Sequence, residues 1–122
     1  MASGTSSKFE IKLISVARAS LEELLLDYQD FLRQNDLELW PKDHQKALHI
    51  RKLAYKKDKS YKTYRTYIED KTPETAANTI VCLIHQANFL LDRLLKELEN
   101  SCAEEGGFTE RMHRVRSQKR QR

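Results

Sequence analysis

Basic and tyrosine side chains alternate in one short segment of the chain, between residues 52 and 67. The basic residues are Lys52, Lys56, Lys57, Lys59, Lys62 and Arg65, and the tyrosines are Tyr55, Tyr61, Tyr64 and Tyr67. Ammonium and guanidinium groups neutralise phosphates, and exposed tyrosine rings stack on bases. The pattern predicts a surface that binds RNA or DNA. The alternative is that the tyrosines, at three-residue spacing, pack on the protein with their hydroxyls outward.

A second basic segment lies at the C-terminus, from Arg111 to Arg122. It has a net charge of +6, the segment Lys42–Arg65 has +7, and the remainder has −9, for a total of +4. Clustered charge of one sign indicates a polyanionic partner, although a solvated face with a basic tail is the alternative. The C-terminal residues predicted to contact phosphates are Arg111, Arg114, Arg116, Lys119 and Arg120. No base-reading motif accompanies them, and an anionic lipid surface is less favoured because the segment lacks a large apolar face.

Residues that could support catalysis or bind a metal are few. Cys82 and His85 lie three residues apart, but a zinc site requires three or four grouped ligands, and the other histidines are scattered. His85, Asn88 and Asp92 form a polar line without a Gly-rich phosphate loop or a nucleophile motif. Asp92 and Lys96 have the spacing of a helix-surface ion pair. The sequence predicts a non-enzymatic protein with no metal and no cofactor.

The composition favours long amphipathic helices in a single domain over residues 1–122. Apolar residues make up 39% and charged residues 33%, and three Gly and two Pro are too few for the turns of a β-sandwich or barrel. No apolar run approaches the roughly 18 residues of a membrane span. Two cysteines are too few for a disulfide scaffold, and the N-terminus lacks the apolar stretch of a signal peptide. These features predict a reduced, cytoplasmic protein.

Start and stop signals divide the chain into helices. A capping box at Ser7 predicts a long helix over residues 6–35, and Ser60 predicts a cap within the shorter helices of residues 42–69. Thr72 followed by Pro73 predicts the start of a second long helix over residues 73–105. The pair Gly106–Gly107 predicts its end, before a basic C-terminal tail over residues 109–122.

Each long helix carries an apolar stripe wide enough for more than one neighbour. The residues predicted to form the helix-packing interface are Ile14, Leu21, Leu24, Tyr28, Ile84, Leu91, Leu94 and Leu98. One antiparallel pair would leave part of each stripe in water, which usually marks an interaction site. The predicted fold class is therefore all-α, an antiparallel helical bundle of two long and several shorter helices, completed by oligomerisation or by a partner protein.

Three stretches resemble one family of proteins. Thr5–Leu24, which ends in Ala-Arg-Ala-Ser-Leu-Glu-Glu-Leu, is similar to the third helix of bacterial four-helix-bundle proteins of the 23S rRNA intervening-sequence type. Ala76–Arg93 resembles the fourth helix of a variant with a suffix region, and Glu105–Arg116 resembles the ending of that variant. The family normally has an N-terminal helical hairpin, and Met1 falls where that hairpin would end.

The resemblance implies a fold more firmly than a function. Family members form up-down bundles, and some are ring-like homo-oligomers. A distant relative, the accessory protein of diversity-generating retroelements, binds nucleic acid and a reverse transcriptase. The expectation is a homo-oligomer, or half of a bundle completed by a partner protein, that binds RNA or DNA. The competing expectation is a protein–protein scaffold with no nucleic-acid role.

Overall fold

The computed structural model is all-helical. It describes the backbone of residues 4–121 and the side chains of residues 7–103. Its four helices are α1 (Gly4–Gln34), α2 (Gln45–Leu53), α3 (Tyr61–Glu69) and α4 (Pro73–Gln121), and no strand occurs among residues 4–121. The prediction of an all-α protein is confirmed.

The chain divides into two compact units. One unit consists of Met1–Ala17 and Leu91–Arg122. The other consists of Arg18–Leu90, and we call it the helical core unit. The helical core unit contains α2, α3, the last part of α1 and the first part of α4. It holds both of the apolar clusters described below.

Two apolar clusters hold the helical core unit together. In the first, Leu25 of α1 packs with Val81 and Ile84 of α4, and half-buried Leu21, Tyr28 and Ile80 surround them. The second joins the connection before α2 to α2, α3 and α4, through Trp40, Ala47, Ile50, Leu53, Tyr64 and Cys82. The short helices are therefore integral to the apolar core, because each contributes a buried side chain to it.

Two of the predicted helix starts are confirmed. The Ser60 amide, at the N-cap of α3, donates to the Thr63 hydroxyl at 3.2 Å. The Thr72 hydroxyl accepts from the Thr75 amide at 3.2 Å, and Pro73 is the first residue of α4. Both arrangements satisfy backbone groups that the first turn of a helix leaves without intrahelical partners.

A buried asparagine anchors the connection between α1 and α2, residues 35–44, which we call the Trp40 loop. The Asn78 side-chain oxygen accepts from the Trp40 amide at 2.8 Å. Its nitrogen donates to the carbonyls of Glu38 and Glu74, both at 2.8 Å. The Glu74 carboxylate also accepts from the Glu38 amide at 2.9 Å. These bonds hold the loop on the first turns of α4 and place the Trp40 ring in the core.

The Trp40 loop begins with a left-handed residue that ends α1. Asp36 has φ 54°, its amide donates to the Arg33 carbonyl at 3.2 Å, and the Leu37 amide donates to the Leu32 carbonyl at 2.8 Å. This is the Schellman arrangement, in which glycine usually occupies the left-handed position. Asp tolerates that conformation better than most side chains because it is short and polar.

Both long helices differ from the predicted limits. Because α1 already begins at Gly4, the buried Ser7 lies inside the helix, and the capping box predicted there is wrong. At the other end, α4 continues through Gly106 and Gly107 to Gln121, where a helix end and a separate tail over residues 109–122 were predicted. A glycine in a helix costs about 1 kcal/mol relative to alanine. That cost weakens a helix but does not by itself end one.

Candidate nucleic-acid interface

The lysine-rich connection between α2 and α3, residues 54–60, forms an exposed turn that we call the basic turn. The Tyr55 and Lys56 amides bond back to the last turn of α2 at 3.2 Å each. Asp58 has φ 58°, a left-handed conformation within the turn. The Lys59 ammonium donates to the Ala54 carbonyl at 2.6 Å. All these bonds are local, so the turn is held by its own backbone and by the ends of the two helices.

The predicted phosphate-binding residues of this segment lie on the surface. All six are exposed, namely Lys52, Lys56, Lys57, Lys59, Lys62 and Arg65. Asp58 is the only acid between Lys52 and Arg65. Ammonium groups on short exposed segments remain hydrated and available to a phosphate, so the turn is a concentrated positive surface.

The four tyrosines of the segment divide into two groups. Tyr55 is 89% exposed and Tyr61 55% exposed, whereas Tyr64 is 7% exposed and belongs to the apolar core. Tyr67 is half-buried, and its hydroxyl lies 2.6 Å from the His49 Nε2 atom. The packing alternative is therefore correct for Tyr64, whose ring is not available to a base. Tyr55 is the ring best placed for stacking.

Arg65 is engaged by a neighbouring carboxylate. Its Nε atom donates to the Glu69 Oε2 atom at 2.6 Å, and the Tyr61 hydroxyl donates to the Glu69 Oε1 atom at 3.1 Å. The bond from Arg65, with a second bond from Tyr61, lowers the pKa of Glu69, and Glu69 raises the pKa of Arg65 in return. Arg65 is therefore partly neutralised and contributes less positive field than the lysines of the basic turn.

The second basic segment lies outside the described side chains. Arg111, Arg114, Arg116, Lys119 and Arg120 fall within the helical backbone of α4. Their role as phosphate contacts stays a prediction.

The predicted helix-packing residues have mixed environments. Ile84 is buried, and Leu21 and Tyr28 pack around it. Ile14, Leu91 and Leu98 are half-buried, while Leu24 and Leu94 are 40% and 43% exposed. An inter-chain seam along these residues stays a prediction.

The residues considered for metal binding do not form a cluster. Cys82 is a buried free thiol, and burial raises its pKa against a smaller opposing effect of Arg51. His85 is exposed. Among the described residues, no group of three or more His, Cys, Asp or Glu side chains could hold a metal ion. In the same part of the chain, no helix is long and apolar enough to cross a membrane.

Sequence reasoning missed the residues that set the geometry beside this surface. Asn78 belongs to no motif, yet it fixes the Trp40 loop. His44, one of the scattered histidines, is the N-cap of α2, and its Nδ1 atom accepts from the Lys46 amide at 3.1 Å. A His before an amphipathic segment is a weak capping signal, because Ser, Thr, Asp and Asn are preferred there.

No family model matches the chain, and neither a curated protein nor a solved structure matches it.

Proposed function

We propose that this protein is a non-catalytic accessory protein that binds RNA or DNA through backbone phosphates at the basic turn. One observation carries the proposal: Lys52, Lys56, Lys57, Lys59 and Lys62 are exposed around one short turn whose sole acid is Asp58. Phosphate contact by such a cluster releases condensed counterions, which gives affinity without sequence specificity.

The exposed ring of Tyr55 supports the same proposal. It lies three residues after Lys52 and directly before Lys56, so a strand bound through phosphates passes close to an aromatic surface. Stacking of a base on such a ring contributes about 1–3 kcal/mol. Single-stranded nucleic acid is therefore the favoured form, since its bases are free to stack.

The test is fluorescence anisotropy of labelled single-stranded RNA and DNA against the wild type and two charge-matched variants. One variant carries Lys56→Glu, Lys57→Glu and Lys62→Glu. The other carries Lys8→Glu, Lys12→Glu and Lys96→Glu, three exposed lysines elsewhere. Both variants change the net charge equally, so a difference between them reports the location of the surface.

The basic-turn variant should bind more than about a hundredfold more weakly at low salt, because three charged contacts are lost. The slope of log affinity against log salt should fall by roughly two units on a single strand. The control variant should keep most of the wild-type affinity. Equal weakening in both variants would assign the binding to overall charge and remove the basic turn as the site.

A second candidate function is a protein–protein scaffold, favoured by exposed apolar side chains on α1. Phe9 and Leu13, four residues apart on α1, are 62% and 54% exposed. Under this candidate, a second copy or a partner protein covers these side chains and completes an antiparallel bundle in the cytoplasm. The resemblance to bacterial four-helix-bundle proteins supports that arrangement, and we propose membership of that family on the same residues.

Solution mass distinguishes this candidate. Leu13→Glu should reduce an assembly toward the 14.4 kDa chain, because a charge in an apolar seam is costly. The neighbouring substitution Lys12→Glu, at an exposed position, should leave the mass unchanged. A Leu13→Glu variant with the same mass as the wild type would contradict a seam at this position.

A further inference from the structure

An open cavity of about 340 Å³ lies in the helical core unit, beside the Trp40 loop. Small-molecule sites are usually concave, mostly apolar and roughly 300–1,000 Å³ in volume, with a few polar groups that orient the ligand. The lining of this cavity is mostly apolar, and Trp40, Ile50 and Tyr67 are among the residues that line it. Its size and lining therefore match a site for a small ligand.

The charged groups of the cavity all have one sign. Lys46 and Lys71 line it, together with the side chains of Gln45, His49 and Thr75, and none of its lining residues is acidic. A cationic ligand would meet two ammonium groups without a counter-charge. An anion is therefore favoured, and a dianionic phosphate matches two lysines better than a single carboxylate does. Lysine commonly binds phosphate as a compact point charge.

The walls of the cavity are held in place by contacts already formed. The Trp40 ring stacks on the His44 ring with centroids 5.2 Å apart and an interplanar angle of 7°, and the Lys46 ammonium lies 5.6 Å from the Trp40 ring centroid. The Tyr67 hydroxyl lies 2.6 Å from the His49 Nε2 atom. A ligand that enters would find two fixed aromatic side chains, so little side-chain ordering would oppose binding.

We propose that this cavity binds a planar ring that carries a phosphate, the chemical class of nucleotides. The half-buried Tyr67 ring and the edge of Trp40 would contact the planar ring, and Lys46 and Lys71 would neutralise the phosphate. The proposal is independent of the basic turn, because neither lysine belongs to that surface. The ligand is either a free nucleotide or the terminal nucleotide of a phosphorylated strand.

Trp40 makes the test direct, because it is the only tryptophan in the chain and it lines the cavity. Adenosine monophosphate, adenosine and inorganic phosphate are titrated separately while Trp40 emission and heat of binding are recorded. Adenosine monophosphate should bind roughly tenfold more tightly than either of its parts. Equal binding of adenosine monophosphate and adenosine would overturn the proposal, because no phosphate would then be recognised.

Substitutions locate the phosphate. Lys71→Gln and Lys46→Gln should each weaken adenosine monophosphate binding by about tenfold. Lys71→Gln is the cleaner variant for fluorescence, since Lys46 already lies over the Trp40 ring. Lys42→Gln is the matched control, an exposed lysine of the Trp40 loop that does not line the cavity, and it should bind as the wild type does. Unchanged binding in the folded Lys71→Gln variant would contradict the site.

The source of the ligand is tested in the variant that carries Lys56→Glu, Lys57→Glu and Lys62→Glu. A terminally phosphorylated single strand is compared there with the same strand ending in a hydroxyl. Tighter binding of the phosphorylated strand supports a strand terminus, and binding of adenosine monophosphate alone supports a free nucleotide. If no phosphorylated ligand changes the Trp40 emission, the cavity proposal is overturned. If the wild-type protein binds adenosine monophosphate but no strand, only the proposal for the basic turn is overturned.

Discussion

Two connections in the helical core unit differ in what holds them. The Trp40 loop is fixed by Asn78, which is 1% exposed and bonds to both Trp40 and Glu38. The basic turn is held by local bonds, and Tyr55 on it is 89% exposed. Loops with few buried contacts open most easily and often carry binding residues. The comparison indicates that the Trp40 loop forms a fixed wall of the cavity. The basic turn presents its charges on a backbone that has more freedom to move.

The largest expected contrast is between the aromatic residues of the two connections. Trp40→Ala should lower the free energy of unfolding by about 3–5 kcal/mol, because it removes a buried ring from the apolar core. Tyr55→Ala should change it by less than about 0.5 kcal/mol, as expected for an exposed position. Urea denaturation followed by circular dichroism measures both. A comparable loss in the two variants would show that the basic turn is also a packed element.

Loss of the buried Asn78 side chain is expected to have the next largest effect. Asn78→Ala should destabilise the protein by about 2–3 kcal/mol, because it leaves the Trp40 amide without its acceptor in the core. Asn100→Ala, at an exposed position of α4, is the matched control and should be neutral within about 0.5 kcal/mol. Hydrogen exchange of the Trp40 amide should accelerate in the Asn78 variant. Continued strong protection of that amide would contradict the anchoring role.

The two left-handed aspartates extend the contrast to the backbone of the two connections. At Asp36, the glycine variant should be more stable than the alanine variant by about 1 kcal/mol, because only glycine adopts positive φ without steric cost. At Asp58, the same pair of variants should differ by less, since the basic turn has more freedom to change its backbone. Equal differences at the two sites would indicate that both turns impose their backbone conformation equally.

The smallest effect concerns the carboxylate beside the basic turn. Arg65→Gln should raise the pKa of Glu69 toward the ordinary value, and Tyr61→Phe should raise it less, because the bond from Arg65 is the larger cause of the lowering. Since the folded-state pKa of Glu69 is depressed, its contribution to stability is present above the ordinary pKa and is lost as the pH falls. NMR titration of the Glu69 carboxyl in the wild type, Arg65→Gln and Tyr61→Phe measures which substitution raises its pKa more. A larger rise in Tyr61→Phe would reverse the assignment of causes.

Local signals allowed the sequence to predict the helices but not their contacts. Ser60 and Thr72 each pair with a residue three positions further along the chain, so their capping roles could be inferred from the sequence. The burial of Tyr64 and the exposure of Tyr61 could not be inferred from the sequence. Both tyrosines fit the same three-residue spacing, and only packing against other helices decides which of them is buried. The bonds from Asn78 to Trp40 and Glu38 also could not be predicted, since these partners lie 38 and 40 residues away along the chain.

The two glycines within α4 show that a local signal can also predict a helix end that does not occur. Gly106 and Gly107 have the residue type of a helix stop, but they lie inside a continuous helix. A stop requires a left-handed residue and bonds that cap the last carbonyls, and neither can be read from residue type alone.

The Asn78 clamp, which is the pair of bonds from Asn78 to Trp40 and Glu38, joins parts of the chain that are far apart in sequence. The bond from the Trp40 amide joins residues 38 positions apart. Closing a loop of that length costs roughly 3 kcal/mol of chain entropy, about as much as three hydrogen bonds contribute. The clamp is a long-range contact, and the burial of Trp40 in the apolar core supplies stabilising free energy that these bonds alone do not. Because Trp40 is also a wall of the cavity, the proposed ligand site depends on the docking of the Trp40 loop on α4.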